Sequence, residues 1–257
     1  MSFYEQISKY YDCIFPVGEP QLKFIKDSAG MPPKRILDVA CGSGGYSVAL
    51  AKQGYNVTAV DLDEKMVEVA ANKAVIEGVR IDVFRKDMKE LDELQTMAQN
   101  QMSQQDLNFD CIYCIGNSLV HLGSLAEISD TLKQTYSLMG KSGVLILQII
   151  NYDRIINKGV NELPVIKNDE VGLKFVRKYE FDKNRGTVSF NTILEIHNKN
   201  GEERFENSIE LLPVLCCDLS NVVKEAGFSD VELYGDFSGT SYDVNSYMLV
   251  IRAVKNS

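Results

Sequence analysis

Gly42 and Gly44 stand where an apolar stretch gives out, in Ile36-Leu-Asp-Val-Ala-Cys-Gly-Ser-Gly-Gly45, and Asp61 closes the next apolar stretch, Val57-Thr-Ala-Val-Asp61. Glycines let a backbone approach a ligand closely, and the start of the helix that follows offers unpaired N–H groups to a carboxylate. A carboxylate arriving one strand–helix–strand unit later can accept both hydroxyls of a ribose. The combination suits an adenosine-containing cofactor. Leu62 and Met66 provide apolar surface for an adenine, and Lys86-Asp87-Met88 sets an acceptor for its amino group, Asp87, beside a flexible thioether, Met88. Ala40 and Ile115, at the ends of the first and fourth strands, are placed to line the same ligand. A nicotinamide dinucleotide fits less well: G-x-G-x-x-G wants a small third residue at position 47, where Ser47 stands, and Gly45 is out of register.

These residues need a scaffold, and the periodicity supplies one. Phe3, Tyr4, Ile7, Tyr11 and Ile14 recur at helical spacing, and Gln21 to Ala29 reads as a second helix that Gly30 and Pro32-Pro33 stop. Strands at 36–40, 56–60, 80–85, 110–115 and 144–150 then alternate with helices at 45–53 and 63–77 and one opened by the capping box Ser124-Leu-Ala-Glu127. Gly54, Gly78, Gly140 and Gly227 mark expected helix C-caps. Continuous apolar strands between glycine-terminated helices imply an α/β fold whose mostly parallel sheet is covered by helices on both faces.

Two segments break the alternation. Asp92 to Asp106, glutamine-rich and without glycine or proline, is either a peripheral helix or a mobile loop. In 151–213 the period becomes two, through Val188, Phe190, Thr192, Leu194 and Ile196, with turns at Asp182-Lys-Asn-Arg-Gly186 and Asn198-Lys-Asn-Gly201. That predicts an antiparallel three-stranded insertion. A helix at 218–226 and strands at 231–234 and 246–253 complete a seven-stranded sheet with a reversed hairpin edge. The expected division is an N-terminal helical cap (1–33), a core (34–150 and 214–257) and the insertion (151–213) as a lid over the acceptor site.

Composition narrows the function. A net charge of −9 over 257 residues disfavours a nucleic-acid partner, which normally meets a basic surface. The N-terminus has neither the basic nor the apolar region of a signal peptide, and the longest apolar run, Val144 to Ile150, is too short to span a bilayer, so a cytoplasmic protein away from membranes is expected. Cys111 and Cys114 are a lone C-x-x-C in a strand, where residues three apart face opposite sides. With no second Cys/His pair at ligand spacing, and His121 and His197 the only histidines, no metal site is expected and the thiols read as inert in a reducing cytoplasm.

Leu37-Asp-Val-Ala-Cys-Gly-Ser-Gly44, Val60-Asp61 and Lys86-Asp87-Met88 together resemble the three cofactor motifs of the class I S-adenosylmethionine-dependent methyltransferases, over nearly the whole chain. Phe109-Asp-Cys-Ile-Tyr-Cys-Ile-Gly-Asn-Ser-Leu-Val-His-Leu122, Asn151-Tyr152-Asp153 and an antiparallel insertion after the fifth strand resemble the glycine/sarcosine N-methyltransferase branch in particular. The resemblance implies a Rossmann-like fold, S-adenosylmethionine as cofactor, S-adenosylhomocysteine as product, and a small acceptor, usually an amine, under the N-terminal helices and the insertion. The chain departs from the branch at Ile150, where the branch carries an arginine that pairs with an amino-acid carboxylate, and it has no arginine before Arg35. Both departures argue against glycine itself as acceptor. The residues leave the oligomeric state open.

Methyl transfer from a sulfonium is an in-line displacement in which alignment does most of the work. Tyr4 and Tyr11 share a helix face and can offer aromatic surface to the sulfonium, worth about 0.5–2 kcal/mol. Asn117 can hold an amine lone pair toward the methyl group, or it is a loop asparagine that satisfies backbone groups. His121 can take a proton from a hydroxyl or ammonium acceptor, or make a structural hydrogen bond. Tyr152 either points into the acceptor pocket or packs. Tyr242, in Gly239-Thr-Ser-Tyr242, either lines the pocket from the C-terminal loop or does no chemistry, and His197 reads as a solvated hairpin residue.

Overall fold

Valine, isoleucine and leucine fill the middle strands because both faces of their sheet are covered. A computed structural model describes residues 7–101, 107–198 and 201–256. The strands are β1 (Arg35–Val39), β2 (Asn56–Asp61), β3 (Asp82–Arg85), β4 (Phe109–Cys114), β5 (Met139–Ile150), β6 (Glu162–Asn168), β7 (Leu173–Asp182), β8 (Thr187–Asn198), β9 (Gly201–Leu211), β10 (Phe228–Tyr234) and β11 (Met248–Lys255). Seven form one sheet in the order β10-β11-β5-β4-β1-β2-β3, and four form a second, β6-β7-β8-β9. β11 runs antiparallel to β5 and β10, while β1 to β5 are mutually parallel, so the expected Rossmann-like sheet with a reversed edge is present. Strand order reverses between β1 and β4, and their carboxyl ends define a crevice.

The helices are α1 (Tyr11–Ile14), α2 (Glu19–Ala29), α3 (Gly45–Ala51), α4 (Glu64–Ile76), α5 (Glu93–Gln101), α6 (Leu125–Leu138), α7 (Tyr152–Lys158) and α8 (Cys216–Glu225). Asp63 caps α4 by accepting from the Lys65 and Met66 amides. Ser124 caps α6 as expected, while Glu127 reaches back to the amide of Gly123, 2.8 Å away, rather than to that of Ser124 itself.

Four expectations are refined or corrected. Of the expected first helix, Ile7 is helical, a 3-10 turn, Ser8–Tyr10, and the single turn α1 follow it, and residues 1–6 lie outside the described residues. Residues 93–101 of the ambiguous segment are helical, and 102–106 lie outside the described residues. Gly140 caps nothing, because α6 runs directly into β5 and the positive φ falls at Ser142 (59°). The insertion has four strands rather than three and also carries α7. A register shift between Leu163 and Ile166 breaks the alternation of β6 and hides the β6–β7 hairpin.

The inner face of the second sheet does two jobs. Phe175 and Leu194 pack with Ile7 and Ile14 of the N-terminal segment, and Tyr179 and Val188 join the main core. Lys9 and Tyr10 both reach Glu203 on β9. Asn151, 2 % exposed, ties the insertion to the C-terminal loop. Its amide group donates to the carbonyls of Asp243, Val244 and Ser246, and its Oδ1 accepts from the Arg154 amide and the Tyr242 hydroxyl. Asp153 accepts from that hydroxyl and from the Cys216 amide at the start of α8. The Asn-Tyr-Asp triplet is thus a structural clamp, and Tyr242 belongs to it. Replacing Asn151 by alanine strands several buried polar groups at once, so Asn151→Ala is expected to lower stability by about 2–4 kcal/mol, read from urea unfolding of the variant and its parent.

Candidate active site

Ala40 follows β1, its φ of 59° turns the chain sharply, and the Cys41 amide donates to the Val60 carbonyl to keep the turn beside β2. Gly42 (φ 54°) and Gly44 (φ 72°) follow in the left-handed region that favours glycine. A Cβ on Gly44 would lie 2.6 Å from the Ala70 Cβ on α4, so this glycine serves helix packing. A Cβ on Gly42 would lie 2.7 Å from the Tyr11 hydroxyl, which places Tyr11 over the loop. The Gly42 amide donates to Asp61 Oδ2 at 2.8 Å and the Asp63 amide to Oδ1 at 2.9 Å. Asp61 is thereby held at the end of β2 with lone pairs to spare on both oxygens. Burial raises its pKa, and the backbone N–H bonds oppose that rise.

The N-terminal segment clasps this loop. Asp12 Oδ1 accepts from Ser43 Oγ (2.5 Å) and Lys73 Nζ (2.8 Å), and Lys73 also reaches Ser43. The Gly18 amide donates to the Tyr46 hydroxyl, and a Cβ on Gly45 would strike Val17. Residues 11–18 therefore cross the glycine loop as a cover. Asp12, Ser43 and Lys73 carried no sequence signal beyond Asp12 following Tyr11, because only the fold brings three such distant positions together.

Around the crevice the expected residues divide. Leu62 is 60 % exposed and presents open apolar surface, whereas Met66, at 1 %, is turned inward and offers a ligand nothing. Leu62 precedes the helix that Asp63 caps, and Met66 lies in its first turn on the buried side. Asp87 caps the turn after β3 by accepting from the Lys89 amide, Met88 is half-buried against the core, and Ile115 is half-buried at the end of β4. Tyr4 lies outside the described residues.

Asn117 (φ 69°) spends its side chain on the frame: Oδ1 accepts from the Ile150 amide at 3.0 Å, and Nδ2 donates to the Tyr152 hydroxyl at 3.3 Å. Tyr152 is 1 % exposed, so it packs instead of pointing into an open pocket, and burial raises its pKa. These two residues brace the ends of β4 and β5, the structural role that stood beside the catalytic one for each. His121 is the exposed last residue of a 3-10 turn, Leu119–His121, whose Leu119 and Val120 are buried. Its surface meets solvent while surrounding protein desolvates the ring, which lowers its pKa.

Residues 36–143 match the family model described as a methyltransferase domain. A Geobacillus sp. (strain WCH70) protein named as a methyltransferase is 35 % identical over 127 residues, 49 % of this chain and 47 % of that protein, so the match spans about half of each. The glycine/sarcosine N-methyltransferase of Aphanothece halophytica is 27 % identical over 223 residues, 87 % of this chain and 76 % of that one. The crystal structure of an S-adenosylmethionine-dependent methyltransferase from Clostridium acetobutylicum ATCC 824 superposes with a TM-score of 0.79 at 17 % identity, covering 100 % of both chains. Residues 36–143 carry a methyltransferase domain, and the chain as a whole shares the fold of the S-adenosylmethionine-dependent methyltransferases. S-adenosylmethionine is therefore its cofactor, and the donor set fits. The chain has an acidic residue at the end of β2, open apolar surface at Leu62 and an aromatic ring over the glycine loop. Ser47, the misfit for a dinucleotide, donates to Asp38 Oδ2 at 2.6 Å.

Asp38 and Asp61 leave two carboxyl groups near one another in a partly dry site. Burial above all, with the charge of Asp61 adding to it, lifts the Asp38 pKa from its usual 3.8 to about 7, against the Ser47 bond. A cationic ligand relieves that crowding, and a sulfonium with an ammonium group supplies it. Asp61→Ala is expected to weaken S-adenosylmethionine binding by about tenfold or more without unfolding the protein, and unchanged affinity by calorimetry removes Asp61 from the site. For Asp38 the folded pKa exceeds the unfolded one. Its contribution to stability is then complete below pH 3.8 and lost as pH rises through about 7. Ligand-free protein should lose on the order of 2–4 kcal/mol across that window, and Asp38→Asn should flatten the loss in urea titrations at stepped pH.

Proposed function

We propose that this methyltransferase transfers the methyl group to the nitrogen of a small amine held between the glycine loop and the antiparallel sheet. The observation that carries the reading is the N-terminal cover: residues 11–18 lie on the glycine loop while Ile7 and Ile14 pack on the sheet. A crevice roofed from both sides suits a small acceptor, and residues 151–213 then act as its lid. The N-methyltransferase relative that matches over most of the chain supports nitrogen as the acceptor atom. Six free cysteines suit a reducing compartment such as the cytoplasm, and no described helix is long and apolar enough to cross a membrane.

The bound cofactor supplies an electrophilic methyl on a positively charged sulfur. This chain's residues supply alignment, which can lower a barrier by about 7–11 kcal/mol when the reacting atoms are held in near-attack geometry. Tyr11 closes the cofactor side, Asn117 and Tyr152 fix the ends of β4 and β5, and the sheet limits access of water. An amine that arrives neutral needs no further base.

One observation favours a second reading. The lowered pKa of His121 keeps its imidazole neutral near pH 7, able to take a proton from a hydroxyl acceptor. A coupled assay for S-adenosylhomocysteine release, run on matched amines and alcohols, separates the two. The amine reading expects product from amines and only a few-fold change in His121→Ala. Turnover of alcohols alone, falling about a hundredfold or more in that variant, selects the hydroxyl reading.

A further inference from the structure

Three buried polar atoms without hydrogen-bond partners stand in one row: Arg177 Nε, Thr192 Oγ1 and Asn207 Nδ2. Arg177 on β7 pairs with Thr192 on β8, and Thr192 with Asn207 on β9, so the side chains share one face at roughly 5 Å spacing. That face is the inner one. On one flank of the row lie Phe175 and Leu194, in the cluster that includes Tyr11; on the other lie Tyr179 and Phe190, in the cluster that includes Tyr152. The row therefore sits between the residue that covers the cofactor loop and the residue that braces the end of β4.

The chemistry of the row is one-sided. Arg177 Nη2 donates to the Pro164 carbonyl at 2.8 Å, which leaves the buried Nε–H unspent. Thr192 is 2 % exposed, and Asn207 offers an amide N–H. A guanidinium keeps its proton in a protein, so its charge must be met. Burial disfavours that charge, and no carboxylate among the described residues offsets it, although the chain as a whole has a net charge of −9. Buried polar groups are normally satisfied, and two N–H donors beside a hydroxyl, one of them cationic, match an oxyanion.

We propose that Arg177, Thr192 and Asn207 form a subsite for an oxyanion carried by the methyl acceptor, so that the acceptor is an amine bearing a carboxylate or a phosphonate-like group. The assignment rests on the amine reading above. It gives the chain a counter-charge from the sheet, where Ile150 provides none at the end of β5.

The test is calorimetry on the full chain saturated with S-adenosylhomocysteine, using aminoalkyl carboxylates, the matching aminoalkyl phosphonates and the matching carboxamides. Wild type should bind at least one anionic series about thirtyfold or more tightly than the carboxamides, and the better series identifies the group. Arg177→Met should abolish that preference, Arg177→Lys should keep part of it, and Thr192→Val should cut it about fivefold, all with unchanged S-adenosylhomocysteine affinity and Tm. If Arg177→Met fails to fold, the lysine and valine variants decide. Equal affinity for anions and carboxamides overturns the proposal, as does a preference that survives every variant, which leaves the row to ordered water only. Weakened S-adenosylhomocysteine binding with the preference intact also overturns it, by assigning Arg177 to the cofactor's own carboxylate. Failure of the amine reading looks different: Arg177-dependent anion binding persists, yet no amine of any series yields S-adenosylhomocysteine in turnover.

Discussion

The hydrogen bond from the Gly42 amide to Asp61 is the constraint on which the cofactor end is built. It joins the turn after β1 to the end of β2, and the other oxygen of the same carboxylate receives the Asp63 amide just before α4. Only a residue at ease with positive φ can aim the Gly42 N–H that way beneath the Tyr11 hydroxyl. Gly44 then lets the turn rest against Ala70, which fixes how closely α4 approaches. Turn, carboxylate and helix thus set one another's positions, and a ligand meets a preformed edge rather than three independent loops.

The cover over that edge has unequal attachments. Asp12 and Lys73 form a partly exposed ion pair, the kind that contributes about 0–1 kcal/mol. Ile7 and Ile14, 0 % and 2 % exposed, each gain about 1.5–3 kcal/mol by burial, chiefly against the antiparallel sheet. Apolar packing outweighs the clasp, so the segment is energetically part of the sheet and only latched to the loop. Any movement that admits a ligand is therefore cheapest at Asp12, Ser43 and Lys73.

The parts of this arrangement that could be read in the sequence are those with a local signal. Apolar runs ending in glycine or aspartate mark β1 and β2, and Asp63 and Ser124 announce their helices by type and spacing. Features set by register were hidden. Arg177, Thr192 and Asn207 are fifteen residues apart in succession, and only the pairing of three strands aligns them. Asn117 and Tyr152 illustrate a different gap. Their residue types fit a pocket or a brace equally well, and the hydrogen bonds that make the brace join positions no spacing reports.

The two walls of the crevice carry opposite needs. Asp38 and Asp61, at the ends of β1 and β2, disfavour each other's ionisation and are relieved by positive charge. Arg177, on the facing sheet, holds a positive charge without a carboxylate beside it. Neither wall can neutralise the other, because each group is fixed in its own strand. Methyl transfer to a neutral amine moves positive charge from sulfur to nitrogen, away from the acidic wall. Beside an unpaired guanidinium that shift would be opposed; with an oxyanion in the proposed subsite the new ammonium would gain a counter-charge within its own molecule. In the proposed subsite the group that orients the acceptor would thus also lower the electrostatic cost of the displacement, and an uncharged acceptor would forgo both effects.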